Sequence, residues 1–448
     1  MQLLNAPSNA PDERNLTEKR LFAERQIAEI RRQQREMVSP WYGLAKPSVM
    51  LSLLWLLLIL MGVVMQFSVM MHLEGKELYS ALAKMLGFLG VALLAAFVGY
   101  RHSVKSYRDW MVWFMVLMVL LSLLIFVPGL GHEVNGAKRW LRLGGLTIQV
   151  SEMMKWVLVM FSAHYLALHF RETQAKSWKP LGKLIAWYIF SLILLFFQKD
   201  LGTIAIVMAI MMGFLILIGV PLLRFGIVIA TLLGLAFIGL AQSETYRMER
   251  ILSFLNPSEH RDRSGFQPSA ALEAQALGHD AGWFGRGLGQ GSYKTILPES
   301  SNDFIYANIG EELGLFGLSV VWIAFVLMVV VIMKMGLRAY RQSAYVEALY
   351  CYGVGLWFGA QAFLHMGVNV VLLPTKGMTL PFVSSGGSSL VVSCFAVAIV
   401  LRADSEVRGK RERDQAQQRR MASLSAQEMD KSSAQPQAFG QMIEENGV

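Results

Sequence analysis

Long apolar runs separated by short charged stretches dominate this chain. Runs of the ~20 residues that a helix needs to cross a bilayer fall near 48–70, 81–100, 110–130, 151–170, 306–333, 346–370 and 386–402. A longer apolar region between 184 and 241 is broken at Gln198-Lys-Asp-Leu-Gly202 and at Gly219-Val-Pro-Leu-Leu-Arg-Phe-Gly226, which divides it into three short segments. The pattern predicts an all-α polytopic membrane protein with ten transmembrane helices and a large loop, 242–305, between helices 7 and 8.

An even number of crossings puts both tails on one side. The cationic stretches Arg101 to Arg108, Arg171 to Lys183 and Lys334 to Arg341 fall on the side of the two basic tails, and the positive-inside rule makes that side the cytoplasm. The outer side then carries 131–150, 198–202, 242–305 and 371–385. Residues 1–47 are expected to be a cytoplasmic basic tail, solvated or interfacial, without the apolar core of a secretory signal. Residues 48–402 form the membrane domain, and 403–448 form a cytoplasmic tail whose Arg/Lys/Gln-rich and then Ser/Gln-rich composition predicts disorder. The absence of a clear internal repeat counts against a transporter built from two matching halves.

Composition agrees: 54% hydrophobic against 16% charged residues and a mean hydropathy of +0.43 mark a membrane protein. The net charge of +9 gathers in cytoplasmic-type loops and tails, so orientation accounts for it and no nucleic acid is implied. Cys351 and Cys394 both lie in apolar runs, which gives no disulfide framework.

Charged groups in or beside membrane segments are expensive and hence candidates for function. Asp303 sits where the long loop turns into an apolar helix, within Pro298-Glu-Ser-Ser-Asn-Asp-Phe-Ile-Tyr-Ala-Asn-Ile-Gly-Glu-Glu-Leu-Gly314. There it is near the membrane surface, where a lipid-linked head group is presented; capping of the helix by Asn302 or Asp303 is the plain alternative. Lys138, Arg139, Trp140 and Arg142 are cations and an aromatic on the outer face, against the positive-inside trend. They suit an anion or a sugar ring, or an interfacial anchor. Glu152 and Lys155 share a helix face, as a structural pair or a lipid-phosphate site. Asp200 lies at a break between apolar segments, facing a wet cavity or capping the next helix. Arg247, Arg250, Arg261, Arg263, Arg286 and Lys294 in the long loop could cradle a diphosphate or form a soluble rim. Lys376, followed by Gly377 and the hydroxyls Ser384 and Ser388, could form an anion nest at a helix N-terminus.

No Asp-x-Asp pair, His-Glu-x-x-His, Walker loop or Gly-x-Ser-x-Gly is present in the sequence. A carboxylate with cations remains, which fits glycosyl transfer from a lipid diphosphate: Asp303 takes the proton of an acceptor hydroxyl while Arg and Lys stabilise the departing pyrophosphate. A lipid-carrier flippase, favoured by Glu152, Lys155 and Asp200, is the rival reading.

Asn135-Gly-Ala-Lys-Arg-Trp140, Gln198-Lys-Asp-Leu-Gly-Thr203, Leu297-Pro-Glu to Gly310-Glu-Glu-Leu-Gly314 and Lys376-Gly to Gly386-Gly-Ser-Ser389 stand in the order and at the topological places that resemble the SEDS family (shape, elongation, division and sporulation), ten-helix peptidoglycan glycosyltransferases. The resemblance covers about 48–402. It implies polymerisation of lipid II, with the essential periplasmic aspartate at Asp303, the family's Arg-Trp at Arg139 and Trp140, its Ser-Glu-x-x-Lys at Glu152 and Lys155 and its post-proline lysine at Lys376; Lys138, Asp200, Arg247, Arg250, Glu299, Ser384 and Ser388 are the further candidates for substrate binding. It also implies a class B penicillin-binding protein and other divisome proteins as partners, residence in the bacterial inner membrane, and a division rather than an elongation role. No cofactor is assigned; a divalent cation, magnesium or manganese, is left open. The chain departs from the family pattern at Ser301-Asn302, where His-Thr is usual, at Ser385, where Tyr is usual, at Val150 and Lys199, where Pro is common, and after Gln267, where a Gln-x-x-Gln-Ser pattern is lost. These departures bear on acceptor positioning and keep open a third reading, a weakened scaffold for the penicillin-binding protein.

Overall fold

The computed structural model describes residues 46–134, 137–143, 146–170, 178–219, 265–374 and 377–445. The chain divides into two compact units, Met50–Val407 and the flanking Met1–Val49 with Arg408–Val448. The described elements in order are α1 (Pro47–Met70), α2 (Gly75–Arg101), α3 (Ser106–Leu124), β1 (Gly131–Val134), β2 (Ala137–Leu143), β3 (Leu146–Gln149), α4 (Val150–Leu168), α5 (Trp178–Phe197), α6 (Leu201–Leu217), α7 (Phe266–Asp280), α8 (Ile305–Arg341), α9 (Tyr345–Asn369) and α10 (Gly387–Glu445). Among the described residues four helices, α1, α2, α3 and α8, are long and apolar enough to cross a membrane, and two shorter ones, α5 and α6, are apolar. The last of the three short segments expected between 184 and 241 lies outside the described residues.

The apolar runs became helices for the expected reason, and burial sorts them. In α4 nearly every residue from Val150 to Met160 is buried, whereas in α2 only Ala92, Ala96 and Gly99 are. A helix buried all round belongs to the interior, so α4 is central, packed with α6 and α9, while α2 shows most of its apolar surface to the outside.

Four expectations are corrected. The segment 131–150 is not simply a connection but forms a three-stranded antiparallel sheet in the order β1-β2-β3, so the fold is mostly rather than purely helical. The loop before α8 contains a helix, α7. The segment thought disordered after 403 continues α10 to Glu445. Finally, the run 306–333 is not one continuous helix: Ile305 to Glu312 are buried by protein, and α8 is broken at Gly314, with φ 61° and ψ −156°.

Gly314 occupies a backbone region that is essentially reserved for glycine, and an added Cβ would stand 2.7 Å from the Trp283 carbonyl oxygen and collide with the Gly285 nitrogen. Replacing it by Ala combines strain with a clash. Gly314→Ala is expected to cost on the order of 1–3 kcal/mol, read as a lower melting temperature of the detergent-purified protein; an unshifted melt would show that the break relaxes freely.

Candidate active site

The turn ahead of α8 is built on the backbone of Glu299. This residue is left-handed, with φ 58°, and its carbonyl accepts the N–H groups of Asn302 at 2.9 Å, Asp303 at 3.0 Å and Phe304 at 3.3 Å. The N-cap of α8 is therefore Phe304, which makes no side-chain cap. Neither Asn302 nor Asp303 stands at the N-cap position, whose role is to satisfy the first free N–H groups. Part of it passes to another helix: Asn369, at the end of α9, accepts the Ala307 N–H on Oδ1 at 3.0 Å and donates from Nδ2 to the Asp303 carbonyl at 2.8 Å. Asp303 is thus held by its backbone from both sides, and its half-buried carboxylate faces the segment that begins at Gly377. A Cβ at Gly377 would stand 2.9 Å from Asp303 Oδ2, so glycine lets the chain pass here without displacing the carboxylate.

That segment is itself hung from α9. Gln361 Nε2 donates to the Thr379 carbonyl at 2.8 Å, and His365 Nδ1 lies 2.7 Å from the Met378 carbonyl. With Asn369, these residues recur every fourth position and line one face of the helix. Sequence reading by apolar runs missed all three, although their spacing in an otherwise apolar helix was the available signal. On the other side, a Cβ at Gly202 would meet Met378 Cγ at 2.6 Å, which puts the start of α6 against the same segment.

Asp200 is only 1% exposed and caps α6, accepting the Thr203 N–H on Oδ1 at 3.2 Å and the Thr203 hydroxyl on Oδ2 at 3.0 Å. Its oxygens are engaged by protein. Glu152 and Lys155 are likewise buried, as an ion pair with Lys155 Nζ 2.9 Å from Glu152 Oε2. Lys155 also donates to Gln361 Oε1 at 2.7 Å and lies 5.3 Å from the centre of the Trp357 ring. The pair reaches the site only through Gln361 and Thr379, whose hydroxyl donates to Ser389 Oγ at 2.8 Å. Ser384 is spent as well: its Oγ accepts the Leu380 N–H at 2.8 Å and donates to the Asn302 carbonyl at 2.7 Å. Ser388 Oγ accepts the Gln149 N–H at 3.0 Å, joining β3 to the start of α10.

Strand alternation divides the cations of β2. Lys138, Trp140 and Arg142 fall on one face, with Lys138 and Arg142 exposed. Arg139 falls on the other and donates to the Lys199 carbonyl at 2.6 Å, tying the sheet to the Gln198–Asp200 turn. The group expected to act together is therefore split by the pleat. Glu299 is exposed and its carboxylate accepts Asn302 Nδ2 at 3.0 Å. Arg247, Arg250, Arg261, Arg263 and Lys376 lie outside the described residues.

Arg286 and Lys294 are engaged elsewhere. Glu311 accepts the N–H groups of Ser292 at 2.6 Å and Tyr293 at 3.1 Å and the Arg286 guanidinium at 3.1 Å. Glu312 accepts the Gly289 N–H at 3.0 Å, the Ser68 hydroxyl and the Lys294 ammonium, the last at 3.4 Å. The two cations neutralise buried carboxylates and hold the Gly-rich loop on α8, so they do not form an open diphosphate cradle. Among the described residues no group of three or more His, Cys, Asp or Glu could hold a metal ion.

A family model described as "Cell cycle protein", for FtsW, RodA and SpoVE, matches residues 48–409. A probable peptidoglycan glycosyltransferase FtsW of Allochromatium vinosum is 41% identical over 321 residues, 71% of this chain and 79% of that protein. One of the same description from Dichelobacter nodosus is 34% identical over 387 residues, covering 85% and 96%. Among solved structures, a chain from "Structural coordination of polymerization and crosslinking by a peptidoglycan synthase complex" superposes with a TM-score of 0.65 at 24% identity, covering 80% of this chain and 97% of that one. The rod shape determining protein RodA of Thermus thermophilus gives 0.57 at 22% identity, covering 80% and 96%. At these identities the two structures speak for the fold.

Proposed function

Since the chain belongs to the family of cell cycle proteins that takes in FtsW, RodA and SpoVE, we propose that it is a peptidoglycan glycosyltransferase of bacterial cell division, polymerising lipid II into glycan strands at the outer face of the inner membrane. The observation that carries this reading is Asp303: a half-buried carboxylate, fixed through its backbone and set against Gly377.

Asp303 serves as general base. It takes the proton of the acceptor sugar's hydroxyl as that oxygen bonds to the donor's anomeric carbon, and the bond from that carbon to the diphosphate oxygen breaks on the opposite face, inverting the centre. Negative charge then grows on undecaprenyl diphosphate. The exposed Lys138 and Arg142 of β2 can meet it, and Lys376, Arg247 and Arg250 belong to the same proposal. A divalent cation, where one takes part, would be held by the Asp303 carboxylate and would supply positive charge against that developing on the diphosphate. Ten membrane crossings with both termini cytoplasmic, and a class B penicillin-binding protein with other divisome proteins as partners, complete the proposal. The flippase reading loses its support, because Glu152, Lys155 and Asp200 are occupied by protein partners.

The test is incubation of the purified chain in detergent, alone and with its class B partner, with labelled lipid II and a divalent cation. A ladder of glycan polymers on a gel is expected; since detergent has no two sides, a ladder cannot arise from transport. No ladder in any combination would overturn the proposal.

A further inference from the structure

Asn302 bridges two segments that meet at Asp303. Its Nδ2 donates to Glu299 Oε2 at 3.0 Å, and because a carboxylate only accepts, the amide orientation is fixed with Oδ1 facing away. There Oδ1 accepts the Ser385 hydroxyl at 2.8 Å. The Ser385 hydroxyl also lies 3.1 Å from the Ser301 hydroxyl, and the Ser385 N–H donates to the Ser301 carbonyl at 3.0 Å. Beside them, Ser384 Oγ donates to the Asn302 carbonyl at 2.7 Å. The turn that carries Asp303 and the turn that ends the Gly377 segment are thus stitched together immediately before the carboxylate. Ser301, Asn302 and Ser385, three letters at which the sequence departs from the SEDS pattern, all meet here, across 83 positions in the case of Asn302 and Ser385.

We propose that Asn302 and Ser385 form a positioning clamp that sets the angle and distance of the Asp303 carboxylate relative to the Gly377 segment. Neither residue is given a role on the reacting atoms; they act through Asp303, and the proposal rests on Asp303 being the base. Ser301 and Ser385 bond backbone to backbone independently of the clamp, so removing either clamp side chain loosens the join without abolishing it. The three departures are then one coupled arrangement of this chain rather than separate losses.

The experiment is a double-mutant cycle on the full chain with Asn302→Ala, Ser385→Ala and both, plus Ser385→Thr, which keeps the hydroxyl. Polymerisation kinetics are measured together with amide hydrogen exchange of 299–308 and 377–385. Each single alanine variant is expected to lower kcat roughly tenfold, since small misplacements of catalytic groups are costly, with KM for lipid II nearly unchanged. The double variant should be no worse than the worse single, because both remove one interaction, and Ser385→Thr should retain the wild-type rate. In either single variant both segments should exchange faster together. Losses that multiply in the double variant, or a loss carried by KM, overturn the clamp, as does faster exchange confined to the mutated segment. Should the wild-type chain make no polymer, the reading of Asp303 fails by itself, and the exchange pattern alone decides whether the clamp exists.

Discussion

Asp303→Asn is expected to remove nearly all polymerase activity while leaving a folded protein. Removing a general base costs about 10²- to 10⁴-fold in rate, and Asn cannot take a proton from the acceptor hydroxyl. The substitution is almost isosteric, and two contacts that anchor residue 303 belong to its backbone and are kept: the N–H to the Glu299 carbonyl and the carbonyl to Asn369. Fold and catalysis should therefore separate. The measurement is the initial rate of lipid II consumption beside a thermal melt of the same preparation. A variant within tenfold of wild type would remove Asp303 from the base role, and a variant that melts much lower would mean its carboxylate is part of the structure.

The second large effect is expected at Lys155. Its side chain is fully buried and Glu152 is 3% exposed, so Lys155→Met leaves a carboxylate without its counter-charge in a protein interior. Removing one partner of a buried pair costs about 3–5 kcal/mol, a large share of the stability of any domain. Lys155→Met should give aggregated or low-melting protein, judged by size-exclusion profile and melting temperature. Replacing both partners, with Glu152→Gln added, should recover most of the melting temperature, because the uncompensated charge is gone. Gln361 would still lack its ammonium donor, so the recovered protein should remain slower than wild type. A Lys155→Met protein that melts like wild type would show that Glu152 does not depend on this counter-charge.

The sequence reading found what periodicity and charge can report. Apolar runs located α1 to α4, α8 and α9, and the spacing of Glu152 and Lys155 announced their shared face. Asp303 stood out because it lies at the edge of an apolar run. The sheet was missed because strands as short as β1 and β3 carry little periodicity, although Asn135-Gly136 between β1 and β2 is a hairpin signal. The break at Gly314 was missed because the strongly apolar stretch after it was extended back across Glu311 and Glu312 as one continuous run from 306. The partners of Glu311 and Glu312 were hidden for a more basic reason. Many of them are backbone N–H groups of the Gly-rich loop, and a backbone amide has no letter of its own.

One face of α9 supports both sides of the site: Asn369 holds the Asp303 carbonyl, while His365 and Gln361 hold Met378 and Thr379. Because these three side chains ride on one rigid rod, the two walls they carry cannot part without breaking bonds to it, and a shift of α9 along its axis moves both walls in step. Anything that pressed on α9 would therefore be felt at Asp303 and at the Gly377 segment together, and neither could be adjusted alone.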